Sequence, residues 1–379
     1  MIAYTRTLVR RFVLVIIVAC GGPDTRPAPP RPAMTAGEAP LVSTMEDLSE
    51  PALVSVPDTS DEVWLRGSTH VHAKPSGDST TPIADVAAWY QHHSYDFIVL
   101  TDHNQVSELD PNTSTEGRVD LRSNGLIVLA GVELTHNPSD CLPKGDDTGR
   151  CRIHMNMLGV TARPLGKLMD WPDRSTHERV AKYQSALAEG AKLGGIAQLN
   201  HPSWYWGMTP EVLVEVARRG VKLVEIANVQ FEKWNAGDKD HPSTEQLWDA
   251  ALAQGAALWA VASDDAHDYG AAGKYPAGGG WIVVRARRDP AAILESIARG
   301  RFYASTGVVL DRAEVVGDEL VVDVGAGETG VAIDVIENGR IVESVQGKSA
   351  RRALPQTGYV RAVITRGDGK KAWVQPQRR

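Results

Sequence analysis

The stretch that decides the fold spans residues 67–104 and reads GSTHVHAKPSGDSTTPIADVAAWYQHHSYDFIVLTDHN. It begins with His70 and His72, and it ends with His103, which follows the apolar run at residues 95–100. This run predicts a buried strand. Because residues i and i+2 of a strand point to the same side, the two histidines of the H-x-H pair can bind one ion. Taken alone, the pair is equally consistent with two surface histidines in a loop.

Length and composition set the class of protein. The chain has 379 residues, 42% of them hydrophobic, and a formal net charge of −7. This length allows one large domain and a smaller one. The acidic balance argues against a general nucleic-acid binder, and the sequence has no G-x-G-x-x-G or Walker segment for a nucleotide. We therefore expect a small-molecule substrate and no nucleic-acid partner, and the oligomeric state is left open.

The first sixty residues are predicted to lie outside the fold. Residues 1–20 combine early arginines with an apolar run at residues 12–19, which is shorter than the ~20 residues that a membrane-spanning helix needs. Cys20 resembles the lipidated cysteine of a bacterial lipoprotein signal peptide; an ordinary secretory peptide is the alternative. Residues 21–60 are rich in proline and alanine and predict a disordered tether. The expected location is a bacterial membrane, with the protein anchored through Cys20 and facing the periplasm or cell exterior.

Two further cysteines, Cys141 and Cys151, lie in a polar segment. Export into an oxidising compartment predicts a disulfide between them. A metal–thiolate role is less favoured because there is no C-x-x-C spacing, and a reduced, inert pair is the remaining alternative.

From residue 61 to residue 308 the sequence alternates between short apolar runs, polar clusters and amphipathic helices. This rhythm predicts an α/β fold with parallel strands and helical crossovers. A closed or nearly closed (β/α) barrel fits better than an open sheet, because candidate ligands come from both ends of the strand series. Residues 309–379 instead show short alternating runs separated by the hairpin signals Asn338-Gly339 and Asp368-Gly369, and predict a small β-sandwich-like domain.

The predicted strand ends carry nine residues of metal-ligating type. They are His70, His72, Asp78, His103, Glu133, His154, His201, Asp265 and His267. Imidazoles and carboxylates without a thiolate suit zinc, manganese or iron. Nine ligands exceed what one tetrahedral ion uses, so we expect two or three divalent ions, with Glu133 central enough to bridge two of them.

The ordered motifs resemble those of a known family. H-x-H, T-D-H-N, G-V-E, H-x-N-x-L-G, N-H-P and S-D-D-A-H occur in this order, as in the polymerase and histidinol phosphatase (PHP) domain. The branch that the chain resembles most is that of the carbaryl-hydrolase-like metal-dependent hydrolases, over residues 60–379. The resemblance implies a distorted seven-stranded barrel with a trinuclear metal site.

The resemblance also implies which residues would bind each ion. The first ion would be held by His70, His72, Glu133 and Asp265, the second by Glu133, His154 and His201, and the third by Asp78, His103 and His267. Asp78 stands where some members have histidine, which leaves the occupancy of the third site open. Asp265 is chosen over Asp264 because it keeps the i, i+2 spacing to His267.

The expected activity is metal-dependent hydrolysis, with a phosphoester as the leading substrate class and metal-activated water as the nucleophile. A carboxyl ester or carbamate hydrolase and a non-catalytic binding protein are the alternatives. Asp102 is expected to orient a neighbouring imidazole, and His136 to contact substrate unless it is a solvated loop residue. Glu225 is either structural or a partner of a ligand, and residues 204–206 line either the substrate or the barrel rim.

Overall fold

The computed structural model describes residues 61–108, 125–270 and 273–379. The predicted signal peptide, Cys20 and the tether at residues 21–60 lie outside these described residues. Within the described ranges, none of the helices combines the length and the apolar character that a membrane crossing requires.

Seven strands and six helices make up the first part of the described chain. The strands are β1 (Val63–Val71), β2 (Phe97–Leu100), β3 (Ile127–His136), β4 (Ile153–Leu158), β5 (Ile196–Leu199), β6 (Leu223–Asn228) and β7 (Trp259–Ser263). The helices are α1 (Ile83–His92), α2 (Arg179–Leu193), α3 (Pro210–Arg218), α4 (Glu232–Ala236), α5 (Thr244–Ala253) and α6 (Pro290–Ala298). The predicted α/β character is confirmed.

Local sequence explains where several helices begin. The Thr209 hydroxyl accepts a hydrogen bond from the Val212 amide, and Pro210 occupies the first turn of α3. Ser243 and Gln246 form a reciprocal capping box at the start of α5. The buried side chains of α2, α3 and α5 lie in one apolar cluster with those of the strands, which includes the fully buried Trp248. Capping and packing therefore act together in setting these helices.

The strands form one thirteen-stranded sheet in which β1 to β7 lie in chain order. The pairs β1–β2, β2–β3, β5–β6 and β6–β7 are parallel. Strand β4, however, is antiparallel to both β3 and β5, so the prediction of parallel strands throughout is wrong at this position. The described connection from β3 to β4 contains no helix, and a connection without a crossover returns the chain antiparallel.

The reversal of β4 has a consequence for the site. His154 is the second residue of β4, and it pairs with Thr135 near the carboxyl end of β3. Because β4 runs backwards, its amino end lies at the same edge of the sheet as the carboxyl ends of β3 and β5. His154 therefore joins residues that follow strands, although it stands at the start of one.

The two ends of the seven-strand series approach each other without a continuous ladder. Among the described residues, a single bridge joins Val71 to Ala266, and the His72 amide donates to the Ala266 carbonyl at 3.0 Å. The backbone of β7 is also covered by the buried side chain of Gln375, whose amide bonds both the N–H and the C=O of Ala260. The sheet is thus strongly curled, and a closed hydrogen-bonded barrel is not among the described pairings.

Every regular element from Leu310 onward is a strand. These strands are β10 (Leu310–Val316), β11 (Glu319–Val324), β12 (Val331–Glu337), β13 (Arg340–Gln346), β14 (Ser349–Ala353), β15 (Val360–Arg366) and β16 (Lys371–Gln377). Both predicted hairpins are confirmed, as β12–β13 and β15–β16.

The C-terminal strands lie in two sheets with a shared apolar core. Strands β10, β11 and β14 form a three-stranded sheet, whereas β12, β13, β15 and β16 continue the large sheet through β9 (Phe302–Ser305) and β8 (Trp281–Ala286). Leu320 of the small sheet and Ile333 of the large one lie in the same cluster of buried residues. The domain boundary at residue 308 stays a prediction.

Candidate metal centre

All nine predicted ligand residues meet at one edge of the sheet. In the described part of the chain, they form three groups whose ligand atoms lie within 4.8 Å of one another. The groups are His70–His72–Asp265, Glu133–His154–His201, and His72–Asp78–His103–His267. The first two are buried and are called the deep groups below, and the third, partly exposed, is called the open group. Each group could hold a metal ion.

The first deep group lies between the ends of β1 and β7. Nε2 of His70 and Nε2 of His72 each lie 3.1 Å from Oδ1 of Asp265. Asp265 has a positive φ of 49°, a backbone conformation that is uncommon for residues other than glycine. This strained conformation places one carboxylate oxygen against both imidazoles.

Glu133 is the residue shared most widely. Its Oε1 lies 3.5 Å from Nε2 of His70 and 3.6 Å from Nε2 of His201. Its other oxygen, Oε2, lies 3.7 Å from Nε2 of His72 and 2.5 Å from Nδ1 of His103. The side chain is fully buried. Sequence reasoning placed Glu133 at a strand end, but β3 continues to His136, so Glu133 lies within the strand. Its central position agrees with the expected bridging role.

The second deep group joins β3, β4 and the end of β5. Nδ1 of His154 lies 3.0 Å from Oε1 of Glu133, and Asn200 donates to the same oxygen at 2.9 Å. His201 has a positive φ of 26°. Nε2 of His154 contacts Oδ1 of Asn137 at 2.8 Å, so the ring is fixed from both sides.

The open group is assembled on loops. Oδ2 of Asp78 lies 2.9 Å from Nε2 of His103 and 3.2 Å from Nε2 of His267. The side chain of Asp78 is 48% exposed, whereas His103 is 21% exposed. His72 stacks on His267 with ring centroids 4.1 Å apart, which links this group to the first deep group. The resemblance did not imply that His72 is shared in this way.

Three buried atoms at the centre of the site make close ion-pair contacts, but none of these contacts has the geometry of a hydrogen bond. They are Nε2 of His70, Nε2 of His72 and Oε2 of Glu133. Buried polar atoms are nearly always satisfied, so a convergent set of unsatisfied ones calls for a physical cause. A divalent cation is a partner that imidazole nitrogens and a carboxylate oxygen share. The donor set therefore fits a metal ion.

Two imidazoles are held neutral by their surroundings. Burial, followed by the nearby His267 and His103, lowers the pKa of His72 to about 3. Burial also lowers the pKa of His154 to about 4, against the opposing effect of Glu133. Because only the neutral imidazole offers a lone pair to a metal, both rings are ready to bind at neutral pH.

Two other imidazoles are held protonated when no ion is present. Burial lowers the pKa of His103, but Glu133 and Asp78 outweigh it and raise the value to about 10. Burial also lowers the pKa of His70, but the negative charges of Asp265 and Glu225 outweigh this effect. The pKa of His70 therefore stands well above its ordinary value. Metal binding must displace these protons, because the ion and the proton compete for the same nitrogen.

Glu225 is the main supporting residue, and the sequence left its role open. Its fully buried carboxylate lies 2.7 Å from Nδ1 of His70 and accepts hydrogen bonds from the His201 amide at 2.7 Å and from the Ser263 hydroxyl at 2.6 Å. It therefore orients ligands of both deep groups. Sequence reasoning missed Asn200 altogether. The signal was available, since a buried polar side chain at a strand end needs a partner.

The neighbouring aspartates point in different directions. Asp264 accepts hydrogen bonds from the Ser68 hydroxyl at 2.8 Å, the Tyr90 hydroxyl at 3.0 Å and the Gly278 amide at 2.8 Å. Burial raises its pKa to about 6. Asp265 is the aspartate that faces the imidazoles, as the spacing argument expected.

The two candidate catalytic residues lie outside the three groups. The buried Asp102 accepts a hydrogen bond from the Ala73 amide at 2.7 Å through Oδ1, so it fixes the backbone that follows the H-x-H pair. His136 is the last residue of β3, not a loop residue, and its ring packs edge-on against Trp171. Its Nε2 is buried without a partner, and burial with Lys182 and Arg174 nearby lowers its pKa. Neither position supports direct contact with the ligand atoms.

Comparison with known proteins adds no family assignment: no protein-family model and no curated protein matches the chain. The resemblance to the PHP domain therefore depends on the ordered motifs, and it stays a prediction.

Proposed function

We propose that this chain is a metal-dependent hydrolase, with phosphoesters as its leading substrate class. The observation that carries the proposal is the grouping of buried imidazoles and carboxylates in which His70, His72 and Glu133 each keep one buried ligand atom without a hydrogen bond. These atoms lie within ion-pair distance of Asp265 or His103, yet their geometry gives none of them a hydrogen bond. A site prepared for a cation leaves them unbonded, since the cation completes the set.

The finer form of the proposal is a centre of two or three zinc, manganese or iron ions inside a distorted seven-stranded barrel. Bound ions would activate water and neutralise charge on the transferring group. The protein supplies neutral imidazoles from His72 and His154, a shared carboxylate from Glu133, and fixed ring orientations through Glu225. The curled sheet and the Val71–Ala266 bridge support the barrel interpretation.

Phosphoesters lead because several cationic charges at one edge suit the developing negative charge of phosphoryl transfer better than they suit a single carbonyl oxygen. A carboxyl ester or carbamate requires the same ligands. Turnover of an aryl phosphate compared with an aryl acetate separates the two classes. If the enzyme prefers the acetate, carboxyl esters or carbamates become the leading substrate class instead of phosphoesters.

The test of the proposal itself is metal analysis followed by assay. Protein purified without chelator should contain at least one, and up to three, divalent ions per chain, and removal of these ions should abolish turnover. Less than one ion per chain would contradict the proposal. Full metal content without turnover across phosphate and ester panels would favour the binding-protein alternative.

We also propose that the protein is exported and anchored through Cys20. The support is the signal-like sequence of residues 1–20 together with the Cys141–Cys151 disulfide, which the structure contains as predicted and which suits an oxidising compartment. Cys20→Ala should move the protein from the membrane fraction to the soluble fraction. Unchanged fractionation would contradict the anchor and leave the proposed activity untouched.

A further inference from the structure

Four aromatic side chains lie together beside the second deep group. They are Trp204, Tyr205, Phe231 and Trp234, called the aromatic wall below. Trp204 packs edge-on against His201, with ring centroids 5.1 Å apart, and against His154 at 5.8 Å. Phe231 lies 4.5 Å from His201. The wall is therefore continuous with the candidate ligands.

The aromatic wall extends away from the ligands and stays accessible. Tyr205 stacks on Trp204, with ring centroids 5.2 Å apart at an interplanar angle of 16°, and Trp234 lies 6.0 Å from Tyr205. All four side chains are half-buried. Each ring therefore keeps part of its surface accessible.

A guanidinium group adjoins the wall. The central carbon of Arg152 lies 5.0 Å from the ring centroid of Trp204 and 5.0 Å from that of Tyr205. Arg152 is half-buried; its Nη1 donates to the Cys151 carbonyl at 2.7 Å, and its guanidinium also hydrogen-bonds the side chain of Tyr205. A guanidinium fixed in this way provides a flat cationic edge to the aromatic surface.

The wall is held in an unusual backbone conformation. Tyr205 and Trp206 both have a φ of 60°, which bulky residues adopt rarely and at an energetic cost. The loop closed by the Cys141–Cys151 disulfide maintains it, because the Asp146 amide donates to the Tyr205 carbonyl at 2.8 Å and Arg150 donates to the Tyr205 hydroxyl at 3.1 Å. The ring of Tyr205 is thus fixed beside the site.

We propose that the aromatic wall and Arg152 form a substrate subsite that takes a planar aromatic ring bearing an acidic substituent. This inference rests on the proposed function, since it assumes that the reacting ester group lies at the metal groups. The ring would stack on Tyr205 and Trp204, and the acidic substituent would pair with Arg152. The substrate class is then an ester of an anionic aromatic compound.

Binding of stable analogues tests the subsite without requiring turnover. The probes are methylphosphonate, phenylphosphonate and 4-carboxyphenylphosphonate, measured by calorimetry on the metal-loaded full chain. The phenyl compound should bind roughly tenfold more tightly than the methyl compound, because of ring stacking and burial. The carboxyl group should add about another tenfold through its charge-assisted pair with Arg152.

Two variants assign these gains to separate residues. Tyr205→Gly suits the positive φ, keeps the backbone and removes the ring, so the phenyl gain should fall several-fold while methylphosphonate binding stays unchanged. Arg152→Gln should remove the carboxyl gain and leave the phenyl gain. Trp64→Leu and Arg299→Gln, on other parts of the chain, are the matched controls and should leave all three affinities unchanged.

A third variant displaces the aromatic wall by a substitution at a residue outside it. A Cβ added at Gly145 would lie 1.8 Å from the Tyr205 carbonyl oxygen, so Gly145→Ala must displace this segment. It should reduce the phenyl gain while metal content stays at the wild-type level.

The outcomes separate this inference from the proposed function. Equal affinity for the methyl and phenyl compounds, or gains that survive both Tyr205→Gly and Arg152→Gln, would overturn the subsite and leave the metal-dependent hydrolase proposal standing. Failure of the metal-loaded protein to bind any of the three phosphonates would count against both.

Discussion

The deep groups and the open group use the same residue types, but they are built differently. In the deep groups, strands and buried partners such as Glu225 fix the imidazoles, and three atoms are left unsatisfied. In the open group, Asp78 contacts both His103 and His267 directly and remains 48% exposed. Direct imidazole–carboxylate contacts occur in both, at 3.1 Å in the first deep group and at 2.9 and 3.2 Å in the open group, so the two differ in burial and in how firmly the imidazoles are held. We expect tight binding in the first case and weaker binding in the second.

The largest effect should come from Glu133, which contacts both deep groups and His103. Glu133→Gln keeps the shape of the side chain and removes its charge, so two ions lose a shared ligand at once. We expect loss of bound metal and a fall in turnover of about a thousandfold or more, with the fold retained. Metal analysis, kinetics and circular dichroism measure the three quantities.

His136→Ala is the matched control for this variant, since His136 lies three residues further along the same strand but outside the groups. It should retain its ions and measurable turnover. Wild-type metal content and rate in Glu133→Gln would show that the bridge between ions lies elsewhere.

Glu225→Gln should have the next largest effect. It weakens the orientation of His70 and His201 without removing a ligand, and changes of this kind cost roughly 10–100-fold in metal affinity. Competition with a chromophoric chelator gives the affinity, and the exposed Glu295→Gln on α6 serves as control. An unchanged affinity would mean that strand geometry alone positions the deep imidazoles.

Asp78→Asn tests whether the open group can be disrupted without affecting the deep groups. It removes the carboxylate of the open group, so we expect loss of at most one ion and a decrease in turnover of less than about tenfold. The two deep ions should remain after dialysis. If all ions were lost together, the deep and open groups would be a single cooperative unit and the comparison would fail.

The smallest effect concerns the metal-free protein and its pH dependence. His103 has a pKa near 6.5 when unfolded and about 10 when folded, so the folded state binds the extra proton and stability decreases as pH rises through this range. His72 and His154 have lowered values, so their contribution decreases as pH falls below 6.5. Urea midpoints in chelator should decrease on both sides of neutrality.

Asp78→Asn separates the two contributions. It should flatten the alkaline side, because Asp78 helps to raise the pKa values of His103 and His267. It should also remove the contribution of the lowered pKa of Asp78 itself, which is lost only as pH falls below 3.8, and leave the range from pH 6.5 down to about 4 unchanged. The exposure of Asp78 keeps this change small, since solvent screens the pair. Flattening between pH 6.5 and about 4, where His72 and His154 contribute, would show that the groups are wrongly assigned.

Local sequence patterns predict much of the fold. The capped helices, the apolar strands, the hairpins at Asn338-Gly339 and Asp368-Gly369, and the disulfide all follow from short-range rules, and each is present. The antiparallel direction of β4 was not accessible, because an apolar run does not encode its direction. The extension of β3 to His136 was missed for the same reason, since pairing with β4 sets that length.

The candidate site divides in a similar way. Residue type and position near strand ends were enough to select nine residues that the structure brings together in three groups able to hold a metal ion. The roles of Asp102 and His136 stay predictions; their contacts with Ala73 and Trp171 could not be foreseen, since these depend on how distant parts of the chain pack.

By itself, the sequence determined which residues could bind metal and which segments form strands, because both depend on residue chemistry and local periodicity. Tertiary structure alone decided that His72 belongs to two groups, that Glu225 supports both deep groups, and that Tyr205 is held beside them. These features arise from contacts between residues far apart in the chain. Such contacts depend on how the strands pack against each other, and no local pattern records that packing.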